Sequence, residues 1–93
     1  MKSITEAVPG AIAALLREAP LSPGKVEFAW RTAVGPALQR VSAVRLEDGT
    51  LLVDAQTRHW ARELSRSVHV ILPRMQMLLG KDVVAGMRIR VAD

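Results

Sequence analysis

Residues 42–55 constrain the architecture more than any other stretch. Ser42, Val44 and Leu46 alternate with Ala43, Arg45 and Glu47, and after Asp48-Gly49 the alternation resumes, with Leu51, Val53 and Ala55 set against Leu52 and Asp54. Period two sends each set to its own face of a strand. Asp-Gly suits a two-residue hairpin turn, where both central residues take positive φ. The stretch therefore reads as a two-strand hairpin with one apolar face. A lone hairpin is only marginally stable in water, so the rest of the chain must add a strand and cover that face with helices. Met87, Ile89 and Val91 alternate with Arg88 and Arg90 and supply the third strand.

The helices follow from period and punctuation. Ser3-x-x-Glu6 has the form of a capping box, and Ile4, Val8, Ile12, Leu15 and Leu16 recur at helical spacing. This predicts a first helix over about 4–18, ended by Ala19-Pro20. Ser22-Pro23 opens a second. Its inner face carries Val26, Trp30, Ala33, Val34, Ala37, Leu38 and Val41. That phase continues through Gly35-Pro36, which predicts a bent helix or two short helices in register. Leu21 and Phe28 fall on the side opposite Trp30, either packed under the first helix or exposed; Phe28 with Lys25 beside it is the candidate partner-facing surface. Thr57 caps a third helix, whose stripe is Trp60, Leu64, Val68, Ile71, Met75, Leu78 and Leu79. Pro73 lies on the opposite side, where a bend is least costly, and Gly80 ends the helix. The expected class is α+β in the order α-α-β-β-α-β: one domain over residues 1–93, with a three-stranded sheet and helices on one face.

Bulk properties narrow the function. The 93 residues include 49% apolar ones, enough for a small core. No cysteine is present, and no run approaches the roughly 20 apolar residues of a membrane span. The start, with an early Glu6 and a short apolar run, does not have the form of a signal peptide. A cytoplasmic protein with no membrane partner is expected. His59 and His69 stand ten apart without a cysteine to make a metal site. Gly80-Lys81-Asp82 lacks the hydroxyl residue and upstream glycine of a phosphate-binding loop. No nucleophile triad or carboxylate pair stands out. The expectation is a non-enzyme with no cofactor and no small-molecule substrate.

Charge placement is more informative than the net +4. Residues 1–56 hold six basic and six acidic side chains, whereas residues 57–93 hold seven basic against Glu63, Asp82 and Asp93. At 100° per residue from Trp60, the stripe centres near 50° and Arg58, Arg62, Arg66 and His69 fall at about 160° to 240°. Trp60 is thus expected in the core and the arginines on a wet ridge. Three like charges at four-residue spacing repel one another, which tilts the reading toward a polyanion or an acidic protein surface. The sheet face turned away from the helices offers a second basic patch, with Arg45, Arg88 and Arg90 beside Leu52 and Asp54. Neither patch carries an aromatic for base stacking, so contact with the nucleic-acid backbone is what remains. The candidate nucleic-acid-binding residues are Arg58, Arg62, Arg66, Arg88 and Arg90.

An ordered set of short motifs adds to this reading. Trp30-Arg-Thr-Ala-Val-Gly35, Leu46-Glu-Asp-Gly49-Thr-Leu51-Leu-Val53, Trp60-Ala-Arg-Glu-Leu64, Leu78-Leu-Gly80 and Ile89-Arg90 together resemble the DciA family, over about residues 4–91. The resemblance implies a bacterial factor that helps load or operate the replicative DNA helicase, a K-homology-like domain, and affinity for DNA, single- or double-stranded, with low sequence specificity. Trp30, Gly35, Gly49, Trp60 and Leu64 match the pattern as architecture. The glycines stand at 10, 24, 35, 49, 80 and 86, so the G-x-x-G clamp of K-homology modules is absent. Two other readings stay open: a protein-interaction module without nucleic-acid binding, and an RNA-binding module.

Overall fold

The computed structural model describes residues 10–92. Its elements are α1 (Gly10–Glu18), α2 (Pro23–Arg40), β1 (Ser42–Glu47), β2 (Thr50–Ala55), α3 (Arg58–Arg66), α4 (Val68–Leu79) and β3 (Gly86–Val91). The architecture is α+β, with the expected strands and one helix more than expected. The capping box at Ser3 and Glu6 lies outside the described residues.

β2 is the central strand. It pairs antiparallel with β1 and parallel with β3. Asp48 (φ 49°) and Gly49 (φ 80°) make the hairpin turn with positive φ at both positions, which matches the twist of the flanking strands. Register places Val44, Val53 and Ile89 abreast, with Leu46, Leu51 and Met87 beside them. These face the helices, and Leu51, Val53 and Ala55 of β2 are buried completely. α2 packs on β1, α3 on β2 and β3, and α4 carries α1 and α2 on its other sides. Among the described residues the core joins Val26, Ala29, Trp30 and Ala33 of α2 to Leu64, Ile71, Met75, Leu78 and Leu79 of α3 and α4, closed by Val84.

α2 breaks where the sequence indicates. Gly35 takes φ 87° and ψ 166° inside an otherwise helical run, and Pro36 follows. The two halves do not keep one buried face, because Ala37 is exposed while Leu38 is half-buried. The break frees carbonyls from their intrahelical partners. Arg74 answers one of them: it is buried, and its Nη1 donates to the Ala33 carbonyl at 2.9 Å. Its cation also faces the C-terminal, negative end of the first half of α2. Its Nη2 is buried without a hydrogen-bond partner. Trp30 fastens the other side. Its Nε1 donates to Ser42 Oγ at 2.9 Å, and that hydroxyl donates to the Leu38 carbonyl at 2.6 Å.

Two expectations need correction. The third helix, expected as one piece over about 58–79, is two. α4 runs through Pro73, whose ring sits on the exposed side, but the helical run is interrupted at Ser67 (φ −104°, ψ 6°). A straight helix of that span would be about 33 Å long, close to the 36 Å longest extent of the protein. Breaking it lets Leu64 face the sheet while Ile71, Met75 and Leu78 face α1 and α2. Trp60 was expected in the core; it packs against the core but stays half-buried, in edge-on contact with the His59 ring at 5.1 Å. The fully enclosed indole is Trp30, 1% exposed.

The depths of the two tryptophans make a direct prediction. Trp30→Ala should cost about 3–5 kcal/mol, as aromatic truncations in cores do. Trp60→Ala should cost distinctly less. Urea unfolding of both variants checks this, and equal losses would contradict the placement of Trp60 at the core's edge.

Candidate nucleic-acid interface

The first basic surface is built by the start of α3. Thr57 is the N-cap, with extended φ −137° and ψ 165°, and its side chain accepts from the Trp60 backbone N–H at 3.2 Å. With the helix phased by this cap and by Leu64 buried beneath, Arg58, Arg62 and Arg66 lie on the exposed side. Arg66 Nη1 reaches Glu63 Oε2 at 3.3 Å, an exposed pair of little energetic weight. Among the described residues neither Arg58 nor Arg62 has an ion-pair partner. The ridge ends at the Ser67 break, where α4 begins with no side chain capping it and with His69, its second residue, exposed. At Ser67 the negative end of the α3 dipole meets the positive end of the α4 dipole, so the two offset each other and the ridge's potential comes from its arginines. Sequence reasoning missed this junction because it treated α3 and α4 as one helix; the serine at position 67, a common cap residue, was the available signal.

The second basic surface is the outer sheet face. Register sets Arg45, Leu52 and Arg88 in one row, and Ala43, Asp54 and Arg90 in the next. Here the charges are largely answered. Arg45 Nε pairs with Glu47 Oε2 at 3.0 Å, and Arg90 Nε hydrogen-bonds and ion-pairs with Asp54 Oδ1. That hydrogen bond is the main cause holding the Asp54 carboxyl below its ordinary value; desolvation opposes it, and the charges of Arg90 and Arg45 reinforce it. A depressed carboxylate keeps its partner at neutral pH and releases it only as pH falls through the lowered value, on the acid side of an ordinary aspartate. The two surfaces point in different directions, since α3 packs on the helix side of β2 and β3. Three arginines against one glutamate on the ridge compare with three arginines against Glu47 and Asp54 on the sheet.

Of the two residues expected to face a partner, Phe28 is half exposed on α2. Lys25 is buried: its Nζ donates to the Ala19 carbonyl at 2.6 Å and lies 3.5 Å from the Arg17 carbonyl. It closes the C-terminus of α1, a common use of lysine at that end of a helix. Among the described residues no cluster of His, Cys, Asp or Glu could hold a metal ion, and no helix is long and apolar enough to cross a membrane.

A family model described as "Dna[CI] antecedent, DciA" matches residues 3–89. The chain belongs to the DciA family. The DciA family is related to replicative-helicase loading and is not a known catalytic family. No curated protein matches the chain significantly. The match spans all seven described elements, from α1 into β3.

The Asp54–Arg90 pair separates the two surfaces experimentally. Asp54→Asn removes one negative charge from the sheet face and none from the ridge. Affinity for a DNA oligonucleotide, titrated at low salt, should change by less than about twofold if the ridge is the contact, given the screening of exposed charges beyond about 10 Å. A several-fold gain would assign the contact to the sheet.

Proposed function

We propose that this DciA domain is a non-catalytic adaptor of the bacterial cytoplasm that binds DNA through its phosphate backbone while assisting loading or operation of the replicative helicase. The observation that carries the reading is the α3 ridge. Arg58, Arg62 and Arg66 form one line of forks suited to phosphate oxygens, opposed among the described residues by Glu63 alone. Base-specific reading has no support in the residues. Trp30 is enclosed, Trp60 is half-buried against the core, and Phe28 lies on α2, away from both basic surfaces. Low sequence specificity follows, with contacts positioning the backbone rather than reading bases. Phe28 is the candidate anchor for the helicase, as an exposed aromatic of the kind that dominates protein interfaces. Lys25 supports that surface from beneath by holding α1 rather than by touching a partner. A reading as a protein-interaction module alone keeps Phe28 and drops the ridge.

Fluorescence anisotropy with a labelled single-stranded 30-mer across a salt series tests the proposal. About three phosphate contacts give a slope of log K against log salt near −2 to −3, with micromolar or weaker affinity at physiological salt. Replacing Arg58, Arg62 and Arg66 together by Gln should remove most of the binding and flatten the slope, with the melting temperature unchanged. Unchanged affinity in that variant, with loss in Arg88→Ala/Arg90→Ala, would move the site to the sheet. If the intact chain bound no DNA at low salt, the nucleic-acid reading would fall and the protein-adaptor reading would replace it.

A further inference from the structure

β1 is an edge strand of the sheet, and its open side lies apart from the arginine ridge on α3. The two-residue Asp48-Gly49 turn makes Glu47 and Thr50 a hydrogen-bonded pair, and such pairs alternate along an antiparallel ladder. Arg45 and Ala43 are in the same phase, and the Gln56 N–H donating to the Val41 carbonyl at 2.7 Å continues it. The backbone N–H and C=O groups of Val44 and Leu46 therefore point away from β2, toward the free edge. Of the described elements only β2 and α2 pack substantially on β1, and α2 packs on its inner face.

Two clefts open along that edge between β1 and α2, sharing Val44. One, of about 250 Å³, is lined by Leu21, Pro23, Val26, Val44 and Leu46, with Arg45 at its rim. The other, of about 220 Å³, is lined by Glu27, Trp30, Gln39, Ser42, Ala43 and Val44, and among the described residues Glu27 is its one ionisable side chain. An unpaired strand edge with pockets for alternate side chains is the arrangement used in recognition by strand addition, where main-chain hydrogen bonds give affinity and the pockets give specificity. Leu21, 55% exposed at the wall of the first cleft, is apolar surface that such an occupant would cover.

We propose that the β1 edge binds an extended segment of another protein as a fourth strand. The segment places an aliphatic side chain in the Leu21–Pro23–Val26–Leu46 cleft. A lysine or arginine two residues away, about 7 Å along the strand, sits over Glu27. A second copy of this chain fits poorly. Antiparallel pairing of two β1 edges about Val44 sets Ser42 of one copy against Leu46 of the other. That directs Leu46 into the cleft with the carboxylate and Ser42 into the apolar one.

The test is selection of a ten-residue peptide library on phage against the whole chain, followed by amide hydrogen exchange with the selected peptide. The enriched sequences should pair an aliphatic residue with a basic one two positions away. Selection against Glu27→Lys should exchange the basic preference for an acidic one. Binding should slow exchange at Val44 and Leu46, while Arg45, already bonded to β2, is slow without peptide. N-methylating a peptide amide that faces β1 should weaken binding about five- to tenfold, the loss of roughly one hydrogen bond, and leaves the protein untouched. Val44→Pro removes one outward N–H and should lower affinity if the variant folds. Failure to enrich any binder, or a binder that leaves Val44 and Leu46 exchange unchanged, would overturn the proposal. Protection of those amides that grows with protein concentration alone would assign the edge to a second copy instead. None of these readouts uses DNA, so their failure leaves the ridge reading standing.

Discussion

The hydrogen bond from Arg74 to the Ala33 carbonyl holds the point on which the helical layer turns. α2 has to stop at Gly35 so that its second half can deliver the chain to β1, and stopping leaves carbonyls without partners inside the protein. Arg74 reaches across from α4 to one of them. Trp30, one turn before the break, is tied through Ser42 to the Leu38 carbonyl beyond it. α4, both halves of α2 and β1 are thus fastened at one place. A buried charge paired only with a carbonyl dipole is expensive, and its presence shows how strongly the break needs a donor.

That fixed layer decides where the remaining charges go. A three-stranded sheet of six-residue strands has one covered face, and the helices turn their apolar sides toward it or toward one another. Arg58, Arg62 and Arg66 are left on the solvent side of α3 because Leu64 and Trp60 take the inner side. On the bare face of the sheet, the close spacing of β2 and β3 brings Asp54 to Arg90, and the two-residue repeat along β1 sets Glu47 beside Arg45. The same chain therefore presents one basic surface whose charges are mostly answered and one whose charges mostly are not. An electrostatic partner is drawn to the second.

Much of this was legible because it depends on local period. The hairpin, the last strand, the bend at Gly35 and the placement of the arginines opposite the α3 stripe all follow from spacing along the chain. What was not legible depends on distant partners. No residue near Ser67 forbids a helix; the run divides there because α3 must follow the sheet and α4 must follow α1 and α2. Lys25 was expected to face a partner and Arg74 carried no expectation beyond its charge; both are buried because helix ends elsewhere left carbonyls for them to satisfy. Trp30 and Trp60 occupy similar positions in their stripes. Only packing separates them: α2 lies between β1 and α4, whereas α3 sits at the margin of the helical layer.

The central claim is that the uncompensated ridge, not the sheet, meets nucleic acid. Chemical-shift mapping of the whole chain titrated with a short single-stranded oligonucleotide at low salt tests it most directly. The account predicts that the perturbed amides and arginine side chains cluster at Arg58, Arg62, Arg66, Val68 and His69, and that they fade together as salt is raised. Perturbations centred on Arg45, Leu52, Arg88 and Arg90, with the α3 ridge unmoved, would contradict it.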